Sequence, residues 1–184
     1  MSNNNFEALI IEDTDSDRTR MRILLDSTGV SYKFAWTAEK KEVISIDEII
    51  KILKKYSPKI LVIDLAWTIE DDKRIATLKF KDFKQIESEK NKFDEQQKSD
   101  KNKKTWISGI ELIDRLVYEY NKEGDIKEAE YLWEMKKIVI ISKYIRPISY
   151  GLWEYLYKKL DQLPASQSFV TKWMDEKDFC FIVQ

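Results

Sequence analysis

The sequence predicts an α/β fold in which helices cover both faces of a parallel sheet. Two short apolar runs, residues 7–13 (EALIIED) and 59–64 (KILVID), each end in carboxylates. Runs that are apolar at nearly every position are typical of central strands buried on both faces. Segments with helical spacing separate these runs from further strand-like segments. Strands that alternate with helices favour a doubly wound parallel sheet.

The first half of the chain fits this alternation. Apolar residues recur at helical spacing over 14–28, and Gly29 follows at a position suited to ending a helix. Residues 30–37 alternate like a strand with one wetter face. Residues 46–56 carry isoleucine and leucine on one helical side, and the strand that ends at Asp64 comes next.

The regular pattern then breaks. Half of the side chains over residues 68–108 are charged. A few apolar residues predict one amphipathic helix over about 70–92, and the remainder has the composition of a loop. We therefore interpret 68–108 as a charged helical and loop insertion within a single domain that spans 1–184.

The second half resumes the alternation of helices and strands. Its predicted elements are a helix over 109–120, a helical piece over about 126–136, a strand over 137–142, a helix over 149–161 and a strand over 167–171. The chain is thereby predicted to hold five strands, with the insertion after the third.

Three carboxylates are expected to meet at one edge of this sheet. Glu12 and Asp13 end the first strand and Asp64 ends the third, and the carboxyl ends of parallel strands line the crevice where ligands bind. Crowded carboxylates repel one another, so the cluster favours a hard divalent cation, most plausibly Mg²⁺. A competing interpretation is that Asp13 or Thr14 only caps the first helix.

The polar residues that end the five strands resemble those of the receiver domain of two-component response regulators. That family has an acidic pair, a phosphoacceptor aspartate, a threonine or serine and a lysine, each at a strand end. The corresponding residues here are Glu12 with Asp13, Asp64, Ser142 and Lys172. Gly109 resembles the glycine that leads the family's third helix. The resemblance implies a flavodoxin-like five-stranded sheet in the order 2-1-3-4-5.

The resemblance also implies a role for each residue. Asp64 would accept a phosphoryl group from a partner histidine kinase or phosphotransfer protein. The implied remaining roles are Mg²⁺ binding by Glu12, Asp13, Asp64 and the main-chain carbonyl of Ala66, phosphate binding by Ser142 and Lys172, and an aromatic switch at Phe169. The responding surface would be residues 146–184, where aromatic side chains suit a partner protein or a homodimer. Packing of those aromatics onto the insertion is the alternative.

Two other functions compete with the phosphorylatable receiver. A receiver-like binding module that acts without phosphate is one, since Lys143 stands where the family usually has a small residue. A Mg²⁺-dependent phosphatase is the other, but Ala66 occupies the position of its usual second aspartate, so no enzyme is expected.

Composition limits the partners and the compartment that we expect. The net charge is −1, so neither nucleic acid nor a membrane surface is an expected partner. One cysteine excludes an intramolecular disulfide, and no apolar run has the length of a signal peptide or a membrane span. We therefore expect a cytoplasmic location. The chain has no histidine, which excludes histidine ligation and phosphohistidine within it.

Overall fold

A parallel β-sheet with helices on both faces forms the computed structural model of this chain. The structure describes residues 6–35, 45–65, 107–122, 129–142, 150–165 and 167–172. Its strands are β1 (Ala8–Ile11), β2 (Tyr32–Phe34), β3 (Ile60–Asp64), β4 (Lys137–Ser142) and β5 (Gln167–Lys172). All paired strands run parallel, in the order β2-β1-β3-β4-β5. The α/β class and the parallel sheet predicted from the sequence are confirmed.

Five helices are present among the described residues. They are α1 (Asp15–Thr28), α2 (Ile46–Tyr56), α3 (Ile107–Asn121), α4 (Glu130–Glu134) and α5 (Tyr150–Leu160). None of these helices has the length and apolar content needed to cross a bilayer.

The central strands are buried on both faces because their side chains alternate between two cores. Leu61 and Ile63 pack in a core that contains residues of α2, α3 and α5. Val62 lies between them in the sequence and faces the opposite side, with α1 residues such as Met21 and Leu25. A side-chain period of two explains why a continuous apolar run serves both layers.

Local signals fix the ends of the first two helices. Ser45 and Glu48 form a reciprocal capping box at the start of α2. Ser57 then ends that helix in a left-handed conformation, with its N–H donating to the carbonyl of Leu53 at 2.8 Å. Gly29 ends α1 at a φ of 72°, a conformation that glycine adopts without steric cost.

Two buried or half-buried acids tie α3 to its neighbours. Glu119 of α3 is 3.2 Å from the Lys54 ammonium of α2 and 3.0 Å from the Arg115 guanidinium. Asp114 accepts hydrogen bonds from the Tyr155 hydroxyl of α5 at 2.6 and 2.8 Å, and lies 2.9 Å from the Lys159 ammonium. Charged groups taken out of water need partners of this kind.

Several predicted boundaries were wrong by a few residues. The strand predicted over 30–37 spans only Tyr32–Phe34, because it pairs with β1 alone. Within the described part of the helical piece predicted over 126–136, the helix spans Glu130–Glu134 and ends two residues early, since Met135 takes an extended conformation on the way into β4; residues 126–128 lie outside the described residues. The helix predicted to start at 109 starts at Ile107. The amphipathic helix predicted within the insertion lies outside the described residues, as does the chain after Lys172.

Candidate functional site

The described acidic cluster lies at the carboxyl ends of β1 and β3. Ile11 pairs with Ile63, so the residues that follow them, Glu12 and Asp64, are neighbours across the strands. Glu12, Asp13 and Asp64 each offer a carboxylate oxygen, and these three oxygens all lie within 4.8 Å of one another. The sheet register therefore brings together the three acids that the sequence places at strand ends.

Burial differs among the three acids. Glu12 is fully buried, Asp64 is 8% exposed and Asp13 is half-buried. Glu12 Oε1 accepts a hydrogen bond of 2.8 Å from the backbone N–H of Thr14, and Glu12 Oε2 is buried as well. Buried carboxylates are costly unless nearby donors or cations stabilise them. Of the three acids, Asp13 is therefore the most exposed to solvent.

A buried arginine holds the turn that carries Glu12 and Asp13. Arg18 is 8% exposed, and its Nη1 donates to the main-chain carbonyl of Glu12 at 3.0 Å. Its other terminal nitrogen pairs with the Asp15 carboxylate. The first of these bonds could not be predicted from the sequence, since a main-chain acceptor can be any residue type.

The structure tests the competing interpretation that Asp13 or Thr14 only caps α1. Thr14 occupies the N-cap position of α1, but its side chain makes no capping hydrogen bond. The Thr14 hydroxyl instead donates to Asp13 Oδ1 at 3.2 Å. Thr14 is thus the N-cap residue, as one alternative had it, but without side-chain capping, and Asp13 lies one residue before that position. The reason is local: the Thr14 hydroxyl is turned toward the neighbouring carboxylate.

The backbone just after Asp64 is held from two directions. The Leu65 N–H donates to the carbonyl of Ile141 at 2.9 Å, and the Leu65 carbonyl accepts from the Gly109 N–H at 3.1 Å. Strand β4 and helix α3 thereby fix the position of Leu65. From the sequence, Gly109 was recognisable only as the lead residue of a helix, because a contact across more than forty residues leaves no local pattern.

The other predicted site residues lie on the two remaining strands. Ser142 pairs with Lys172 at the carboxyl ends of β4 and β5, the same edge of the sheet as the acids, and Phe169 pairs with Val139. The structure describes Ser142, Phe169 and Lys172 by their backbone, so their predicted side-chain roles stay predictions. Ala66 and Lys143 lie outside the described residues.

Part of the aromatic surface predicted over 146–184 is described. Tyr157 of α5 is 43% exposed, whereas Tyr155 is half-buried and bonded to Asp114. Outside that range, Trp133 of α4 is also 59% exposed and meets the Tyr120 ring edge-on at a centroid distance of 5.4 Å. A partner or homodimer surface over 146–184 stays a prediction.

The donor set of the cluster fits a hard divalent cation. All three side chains are carboxylates, their oxygens converge within 4.8 Å, and part of the cluster is shielded from water. Hard cations such as Mg²⁺ and Ca²⁺ prefer such oxygen ligands. A cation between them would also relieve the repulsion of three like charges.

Comparisons with known proteins give little beyond this geometry. Neither a family model nor a curated protein matches the sequence. A solved structure of a response regulator protein from Burkholderia pseudomallei, with a phosphorylated aspartic acid, a calcium ion and citrate, matches at 12% identity and a TM-score of 0.48. The match covers 96% of this chain and 65% of that chain, so the present chain spans less than two thirds of that protein. A similarity of this degree carries no functional argument, and the site is interpreted from its own residues.

Proposed function

We propose that this chain is a signalling receiver domain of flavodoxin-like fold that accepts a phosphoryl group on Asp64. The observation that carries the proposal is the convergence of the Glu12, Asp13 and Asp64 oxygens within 4.8 Å at the carboxyl edge of a parallel sheet. Ligands of such sheets bind at this edge. Asp64 is buried apart from 8% of its surface, and the half-buried Asp13 is the more exposed of the three acids.

Asp64 is the proposed nucleophile. One of its oxygens forms a bond to phosphorus while the bond from phosphorus to the donor histidine nitrogen breaks, and the departing imidazole takes up a proton. The product is an acyl phosphate on Asp64. The donor is a partner histidine kinase or a phosphotransfer protein, since this chain has no histidine of its own.

Glu12, Asp13, Asp64 and the main-chain carbonyl of Ala66 are the proposed ligands of Mg²⁺. The bound cation would supply positive charge against the phosphoryl oxygens, which is the main requirement of phosphoryl transfer. The chain's own part is to hold these ligands in place. The Thr14 N–H orients Glu12, and Arg18 fixes the main chain at the same residue.

Ser142 and Lys172 are proposed to bind the phosphoryl group, because their strands end at the same edge as Asp64. The serine hydroxyl and the lysine ammonium can both donate hydrogen bonds to the oxygens of a doubly charged phosphoryl group. Phe169 is proposed to change position when Ser142 moves toward the phosphate, so that residues 146–184 switch a protein-interaction surface. In this proposal the chain is a cytoplasmic single domain with no catalytic turnover of its own.

Intact mass measurement tests the proposal directly. Wild-type protein incubated with Mg²⁺ and acetyl phosphate is expected to gain one phosphoryl group, and EDTA is expected to prevent the gain. Asp64→Asn should gain none while keeping a wild-type circular dichroism spectrum. The matched control is Asp47→Asn, which removes an exposed carboxylate from the first turn of α2 and should label like wild type.

Two results would overturn the proposal. One is labelling of Asp64→Asn at the wild-type level, which would place the phosphate elsewhere. The other is a wild-type protein that takes neither Mg²⁺ nor phosphate, which would favour a binding module that works without phosphate.

A further inference from the structure

The backbone that carries Asp64 continues directly into a close contact with α3. Leu65 is 1% exposed, and both of its backbone polar groups are hydrogen-bonded, one to Ile141 of β4 and one to Gly109 of α3. These partners are remote from Leu65 in the sequence. Because both hydrogen bonds hold Leu65 in one position, they fix the backbone immediately after the proposed phosphoacceptor.

Gly109 leaves no room for a side chain at this contact. A Cβ atom on residue 109 would lie 2.8 Å from Leu65 Cα, 2.9 Å from the Leu65 carbonyl oxygen and 3.1 Å from Leu65 Cδ1. A rotamer change of Leu65 relieves only the third contact, because the first two atoms belong to the backbone. Reaching an ordinary contact of 3.4 Å from 2.8 Å requires a backbone displacement of about 0.6 Å.

The need for glycine here is steric and not conformational. Among the described glycines only Gly29 has a positive φ. Gly109 lies within the first turn of α3, where alanine is the better helix former. Helix propensity alone therefore predicts that Gly109→Ala stabilises the protein, and the contact with Leu65 predicts the opposite.

We infer that Gly109 is a positioning residue for the acidic cluster: its missing side chain lets α3 seat Leu65 and thereby sets where the Asp64 carboxylate stands relative to Glu12 and Asp13. This inference rests on the proposed function for its consequence in metal and phosphate binding. Residue 109 acts through the backbone of Leu65, to whose carbonyl its N–H donates a hydrogen bond.

The inference predicts a difference between two cations. Mg²⁺ demands near-ideal octahedral geometry, whereas Ca²⁺ accepts irregular and longer coordination. A displacement of several tenths of an ångström at Asp64 exceeds the tolerance of about 0.2 Å for a well-formed metal site. Gly109→Ala is therefore expected to lose more affinity for Mg²⁺ than for Ca²⁺, which an unspecific loss of stability would not produce.

The experiment compares Gly109→Ala with Val117→Ala in the full chain. Val117 is a 5% exposed residue two turns further along α3, so its truncation destabilises the same helix at a distance from Leu65. Isothermal titration with each cation and amide hydrogen exchange at residues 65 and 109 are measured for both variants. Labelling by acetyl phosphate is the third readout.

Gly109→Ala is expected to lose about tenfold or more in Mg²⁺ affinity, the range typical of residues that orient metal ligands, and distinctly less in Ca²⁺ affinity. Exchange at residues 65 and 109 should become faster. Val117→Ala should keep the wild-type ratio of the two affinities. If Gly109→Ala does not fold, Ile110→Val provides the second variant: it loosens the first turn of α3 without a clash and should lower the Mg²⁺ to Ca²⁺ affinity ratio in the same direction.

The outcomes separate the inference from the proposed function. The inference would be overturned, and the proposed function would stand, if Gly109→Ala kept the wild-type Mg²⁺ affinity and the wild-type exchange at residue 65. The same result in Ile110→Val would overturn the inference if that variant is the one that folds. Equal losses for both cations would also overturn it. A wild-type protein that binds neither cation would overturn the proposed function and the inference with it.

Discussion

Replacing Asp13 with asparagine is expected to stabilise the metal-free protein and to destabilise it relative to wild type when Mg²⁺ is saturating. The substitution keeps the size of the side chain, and its amide oxygen still accepts the hydrogen bond that the Thr14 hydroxyl gives to Oδ1. What it removes is one of three negative charges whose oxygens lie within 4.8 Å. The sign of the stability change thus depends on the cation.

The size of the effect follows from the distance. Two unit charges 4.8 Å apart repel by about 3.5 kcal/mol at an effective dielectric constant of about 20. Asp13 is half-buried, so solvent screening reduces the gain from removing its charge to about 1 kcal/mol. For a chain of this length that gain raises the melting temperature by about 2–4 °C.

Mg²⁺ reverses the order of stability of wild type and Asp13→Asn because it binds the folded protein. A ligand that binds only the folded state stabilises it in proportion to the logarithm of its concentration over its dissociation constant. Loss of one carboxylate ligand weakens the binding of a hard cation, so wild type gains more from Mg²⁺ than Asp13→Asn does. The two melting curves should therefore exchange order between EDTA and saturating Mg²⁺.

Thermal melts in EDTA and over a Mg²⁺ titration measure this reversal, and repeating the EDTA melts at higher salt should shrink the difference. Asp47→Asn is the control, since it removes the same charge from a side chain that is 50% exposed and lies outside the cluster. It should destabilise slightly, through a weaker helix N-terminus, and show no reversal. A loss of more than about 1 kcal/mol for Asp13→Asn in EDTA would refute the repulsion argument and indicate a structural role.

Three further predictions concern stability away from the site. Tyr155→Phe should cost about 1.5–3 kcal/mol in a denaturant titration, because it removes the hydroxyl that donates to both carboxylate oxygens of Asp114. Burial, with a neighbouring aspartate, raises the pKa of Tyr32 from 10.0 to about 12. The contribution of Tyr32 to the free energy of unfolding is therefore complete below pH 10 and is lost as the pH rises through about 12. Tyr32→Phe should remove this decline from a plot of melting temperature against pH. Ser45→Ala should cost about 1 kcal/mol by thermal melt, since it breaks the capping box with Glu48, and an unchanged melting temperature would contradict that role.

Local patterns in the sequence were enough to predict the elements whose signals are local. The strand over 137–142 and the helix over 46–56 have the predicted bounds. The strand is a continuous apolar run, and the helix begins at a capping box and ends before Pro58. The bounds of the short β2 had no such signal and were wrong, since its pairing with β1 decided them.

The sequence by itself determined the chemistry available at the edge of the sheet. Parallel strands that end in Glu12, Asp13 and Asp64 bring carboxylates together by alternation alone, whatever the loops do. Only the tertiary structure decided how these residues are held. The Arg18 bond to the carbonyl of Glu12 and the seating of Leu65 against Gly109 depend on backbone atoms. Every residue type offers these backbone carbonyl and Cα atoms, so the sequence does not show which of them Arg18 and Gly109 contact, and each contact exists only once the elements have packed.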